Sequence, residues 1–109
     1  MAFDEALADR TRDLLGPREG VTERKMFGGI AFMVGGNMAV GVAGEDLMVR
    51  LDPTDAERAL AEPHVRPMDF TGRPLKGFVY VEPPAIECDE DLADWVDAAA
   101  DHAASLPPK

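Results

Sequence analysis

Ser105 and Cys88 are the only serine and the only cysteine in the chain, so they are the first places to look for a nucleophile. A nucleophile of either kind needs a neighbouring base that a third group orients. Ser105 lies close to the Pro-Pro-Lys terminus, and Cys88 directly precedes Asp89, Glu90 and Asp91, whose charges raise a thiol's pKa and suppress the thiolate. His64 and His102 are far apart, and neither has a second His or Cys at ligand spacing, so no metal site is expected. The acidic run after Cys88 lacks the glycine and the alternating oxygen ligands of a calcium loop. Gly28-Gly29 and Gly35-Gly36 match neither phosphate-binding glycine pattern, and they read as turn residues. No pair stands out among the 21 carboxylates as an acid and base couple. The expectation is a module without catalytic residues, metal or cofactor.

The elements that would carry any site follow from composition and periodicity. A chain of 109 residues with 46% hydrophobic and 29% charged residues suits one globular domain spanning residues 1 to 109. One cysteine permits no internal disulfide, the first ten residues do not resemble a secretory signal, and no apolar run reaches membrane-spanning length. A cytoplasmic protein without a membrane segment is expected. The net charge of −10 is uneven: from Glu82 onward eight acids face Lys109 alone. That acidic end repels phosphate backbones, so direct nucleic-acid binding is not expected.

Phe3, Leu7, Thr11, Leu14 and Leu15 recur at helical steps until Gly16-Pro17 stops them. Strand-like stretches follow at Val21 to Phe27, Ile30 to Val34, Met38 to Val42 and Leu47 to Leu51, separated by glycine-rich turns. In this meander Ile30, Phe32, Val34, Met38, Val40 and Val42 are predicted on one face, with the small Ala31, Ala39 and Gly41 on the other. A short helix begins near Thr54, which stands at capping-box spacing from Glu57. Pro63, Pro67 and Pro74 keep the next stretch extended, and Leu75 to Val81 reads as a strand. A last helix carries Leu92, Trp95, Val96 and Ala99 inward, with Glu90, Asp94, Asp97 and Asp101 outward. Strands joined by tight turns imply an α+β fold in two layers, a mainly antiparallel sheet of about five strands with flanking helices.

The run Arg24-Lys25-Met26-Phe27-Gly28-Gly29-Ile30-Ala31-Phe32, then Met38-Ala39-Val40-Gly41-Val42, Leu47-Met48-Val49-Arg50 and residues 67 to 77, resembles the TfoX/Sxy N-terminal domain family over nearly the whole chain. The resemblance implies a two-layer α+β fold and a link to regulation of natural competence. There the family's named members assist a cyclic-AMP receptor protein at promoters. It supplies no catalytic residue. Those named regulators carry a second, helical domain, and this sequence reads as a short stand-alone member.

The positive charges of the middle segment mark the surface where a partner could dock. The candidates are the signature residues Arg24, Lys25, Met26, Phe27, Gly28 and Gly29, together with Arg50, Arg66, Arg73 and Lys76. Arg24 adjoins Met26 and Phe27, and Arg73 and Lys76 adjoin Phe70 and Phe78, a mixture enriched at binding hot spots. Ordinary solvated charges, some paired with Asp52, Asp69 or Glu82, are the competing account. The expected function is a non-enzymatic interaction or regulatory module, a transcription co-regulator working through a protein partner. The alternative is a small-molecule-binding domain or small enzyme with a pocket against Ala31, Ala39 and Gly41.

Overall fold

The computed structural model describes residues 3 to 26, 28 to 70 and 73 to 107. Helix α1 (Glu5–Leu15) starts where the Asp4 side chain accepts a hydrogen bond from the Leu7 amide at 3.1 Å. It turns Leu7, Ala8, Thr11 and Leu15 inward, and the buried Thr11 hydroxyl donates to the Leu7 carbonyl at 2.8 Å, so no polar group is stranded. Four strands follow, β1 (Val21–Met26), β2 (Gly29–Val34), β3 (Asn37–Ala43) and β4 (Asp46–Arg50). Helix α2 (Pro53–Ala59) then leads to β5 (Val65–Phe70) and β6 (Arg73–Val81), and a 3-10 turn (Pro83–Ala85) precedes α3 (Asp89–Ser105).

The six strands form one antiparallel sheet in the order β1-β2-β3-β4-β6-β5. The sequence reading of about five strands falls short by one, because the proline-bearing stretch forms β5. Pro67 is tolerated there since β5 is an edge strand, where one missing ladder donor costs little. All three helices lie on one face. Leu7 and Leu15 of α1, Ala56 and Ala59 of α2, and Leu92, Val96 and Ala99 of α3 share a core with Ile30, Phe32, Val40, Val42, Leu47, Val49, Val79 and Val81.

Three local expectations need correction. Met38 does not share the face of Val40 and Val42, because the register shifts between Phe32 and Met33: Phe32 pairs with Val40 but Met33 pairs with Met38. Ala39 is the extra residue of the resulting bulge and is buried in the helix-side core, while Met38 turns to the other face beside Met33. Helix α2 is capped by Asp52, whose carboxylate accepts from the Thr54 amide at 2.9 Å, so Thr54 lies inside the first turn and not at the cap. Trp95 is only partly buried and packs against the edge of the core, whereas Leu92, Val96 and Ala99 are fully buried as expected.

The acidic face of α3 is partly neutralised by α1 and the turn after it. Arg10 donates to the Ile86 carbonyl at 3.0 Å and to the Asp89 carboxylate at 2.9 Å, which ties α1 to the start of α3. Arg18 meets Asp101 at 3.0 Å and Asp97 at 3.5 Å. No helix among the described residues is long and apolar enough to cross a membrane.

Candidate interaction surface

The sheet face away from the helices holds three of the candidate residues, Arg24, Arg50 and Arg66. Cross-strand pairing lines up Arg24, Ala31, Gly41, Met48, Tyr80 and Arg66 in one row across all six strands. Arg50 and Phe78 pair in the adjacent row. Arg24 and Lys25 are both exposed on the edge strand, but successive strand residues point to opposite faces, so only Arg24 belongs to this surface. Lys25 sits opposite Ile30, on the helix side.

Two arginines of this face lie over aromatic rings. The Arg66 guanidinium is 4.5 Å from the Tyr80 ring centroid, and that of Arg50 is 5.5 Å from the Phe78 centroid. Both distances are within cation–π range. Arg66 is further held by Asp46 and by Glu82, the latter at 3.4 Å, so the expected pairing of a basic candidate with Glu82 is present. Arg50 forms no ion pair among the described residues. Phe78, Tyr80, Met33 and Met38 are all partly buried, and they add amphipathic and polarisable surface to the same face of the sheet.

The signature glycines have a backbone explanation. Gly28 has φ +74°, a conformation that side chains rarely adopt, and it turns the chain from β1 into β2. At Gly29 a Cβ would fall 2.0 Å from the Val42 carbonyl oxygen, so the close approach of β2 and β3 admits only glycine. These two residues shape the hairpin and leave the recognition chemistry to their neighbours. Phe27 lies outside the described residues, as do Thr71 and Gly72. Arg73 and Lys76 fall on β6, and Met26 on β1, but their side chains lie outside the description.

The small-residue stripe does not line a pocket. Met48 is fully buried with its Cε 2.5 Å from where a Gly41 Cβ would stand, so Gly41 makes room for the methionine, and Ala39 belongs to the opposite core. Tyr80 escaped the sequence reading because its partner Arg66 is brought beside it only by the β5–β6 register. The signal was the alternation Phe78, Val79, Tyr80, Val81, which puts both aromatics on one face.

Among the described residues no three His, Cys, Asp or Glu side chains are grouped to hold a metal ion. Comparison with curated proteins gave no match, and comparison with solved structures gave none. The sequence does match the family model described as the TfoX N-terminal domain across residues 13–103, and with that span, the entire sheet and most of α3, the chain belongs to the TfoX N-terminal domain family.

Proposed function

We propose that this chain is a non-enzymatic interaction module, a transcription co-regulator that works through a protein partner docked on the helix-free face of its sheet. The observation that carries the reading is the pair of cation–π contacts, Arg50 over Phe78 and Arg66 over Tyr80, on the face that also holds the partly buried Met33 and Met38. Arginine, aromatic residues and methionine are the types that protein interfaces concentrate, and stacking limits the side-chain entropy lost on binding. The family membership and the acidic α3 support the regulatory part of the reading, since a co-regulator with this charge would reach DNA through a partner that supplies the basic surface.

The test is a quantitative pull-down from the source cell with wild-type protein, an Arg24→Ala/Arg50→Ala variant, and a Glu57→Gln/Glu90→Gln control. Circular dichroism must show all three folded. A protein retained by wild type and control but lost from the double arginine variant, and then rebinding in purified form, supports the proposal. Identical retained proteins in all three samples would refute it.

A further inference from the structure

A second surface lies on the helix side of the sheet, where α2 and α3 leave a groove. Two adjoining cavities, about 450 and 380 Å³, share Glu62, Trp95 and Ala98 in their walls. Trp95 is the only tryptophan of the chain. It is left partly exposed at the junction, while its neighbours Leu92 and Val96 on the same helix are fully buried.

Charge around this aromatic floor is strongly one-sided. Asp91 and Asp94 of α3 line one end, Asp52 and Asp55 of α2 the other, and Glu62 both; Arg58 is the only Lys or Arg among the lining residues. Asp52 and Asp55 also serve the start of α2, one as its cap and one in its first turn. Asp94 and Glu62 have no such role, and neither they nor Asp91 form an ion pair among the described residues. The contrast within α3 is informative: Asp89, Asp97 and Asp101 are met by Arg10 of α1 and Arg18 of the turn that follows it, while the carboxylates turned to the groove are left for something else. At the rim, His64 adopts φ +65°, the only positive value among the described residues that are not glycine. Strain of this kind collects at binding sites.

We propose that this groove binds a basic peptide segment of a partner protein, one Lys or Arg side chain lying over the Trp95 ring and its neighbours pairing with the carboxylates of both walls. An indole is the best cation–π acceptor among side chains. The carboxylates are spread along the groove and not gathered into a cage, which suits an extended row of cationic side chains better than a single ion. This surface is separate from the helix-free face, and the proposal does not depend on that face being used.

Trp95 is its own reporter. Purified protein is titrated with an octapeptide of alternating arginine and glycine, with the same peptide carrying glutamine for arginine, and with spermine. The expected result is a saturable change in Trp95 emission with the arginine peptide that weakens with salt and is absent with the glutamine peptide. An Asp91→Asn/Asp94→Asn variant binds about tenfold more weakly, the size expected for losing two exposed ion pairs. Glu57→Gln/Glu90→Gln removes as many charges outside the groove and leaves binding within about twofold. Calorimetry with Trp95→Leu shows a loss similar to that of the aspartate variant. No saturable response, equal weakening by both charge variants, or equal binding of spermine would overturn the proposal.

Discussion

Arg12 of α1 grips Glu23 of the edge strand β1 with two hydrogen bonds, Nε to Oε2 at 2.6 Å and Nη2 to Oε1 at 2.7 Å. The same guanidinium lies 5.8 Å from the Phe32 ring centroid, so one side chain joins helix, edge strand and core. The hydrogen bond from Arg12 holds the Glu23 carboxyl below its ordinary range, and charge attraction assists while burial works the other way. A carboxyl lowered in the folded state adds stability above its unfolded pKa of about 4.3, and loses it as pH falls through the folded value. Glu23→Gln is therefore expected to lower the urea midpoint at pH 7 by an amount worth at most about 1 kcal/mol, since the pair is exposed and screened. The gap from wild type narrows as the pH drops below about 4.3. A gap that stays constant down to pH 3 would show that the pair does not act through its charge.

Trp95 and Leu92 differ in burial although they lie one turn apart on α3. Leu92→Ala removes a fully buried side chain and is expected to cost about 3 kcal/mol. Trp95→Ala takes away a ring that is already partly in water, so about 2 kcal/mol is expected, less than the 3 to 5 typical of a buried tryptophan. Urea denaturation followed by circular dichroism ranks the two. A Trp95→Ala variant less stable than Leu92→Ala would mean that the ring is part of the main core and not the floor of a groove.

The two signature glycines make a second ranked pair. Gly28→Ala meets no atom within 4 Å and has only its positive φ against it, a cost of about 1 kcal/mol. Gly29→Ala drives a methyl into the Val42 carbonyl and must separate β2 from β3, so about 3 kcal/mol is expected. Thermal melts of both variants check the order. If Gly28→Ala were the worse, the turn and not the close strand approach would explain the motif.

Most of the architecture is visible in the sequence because it rests on local signals. Glycines mark each reversal of the meander, and alternation assigns the faces of Ile30, Phe32, Val34, Val40 and Val42 correctly. The bulge at Ala39 has no such marker, so a period-two reading, which one extra residue inverts, puts Met38 on the wrong face. Strand β5 is masked by Pro67, a residue that argues against a central strand but not an edge. Of the interaction surface, Arg24, Arg50 and Arg66 are legible as positive charges of the middle segment, and of these only Arg24 stands beside an aromatic in the sequence. The stacking partners of Arg50 and Arg66 depend on register and side-chain direction. The groove was out of reach because it is the gap left where α2 and α3 each pack on the sheet, and an amphipathic stripe gives no sign of which of its members stops short of the core.

The two edges of the sheet have a consequence for how many such molecules behave together. Along β1 the exposed residues are Thr22, Glu23, Arg24 and Lys25, and on the opposite edge Pro67 withholds a backbone donor. Suppose two copies met β1 to β1 about a two-fold axis perpendicular to the sheet. Centring on Glu23 would bring two carboxylates face to face, which cross-strand pairing disfavours, and centring on Arg24 two guanidiniums, a repulsion that flanking Lys25–Glu23 pairs offset only in part. Lateral growth is thereby discouraged where like charges would meet, which makes a crowded solution of this protein less prone to ribbon formation.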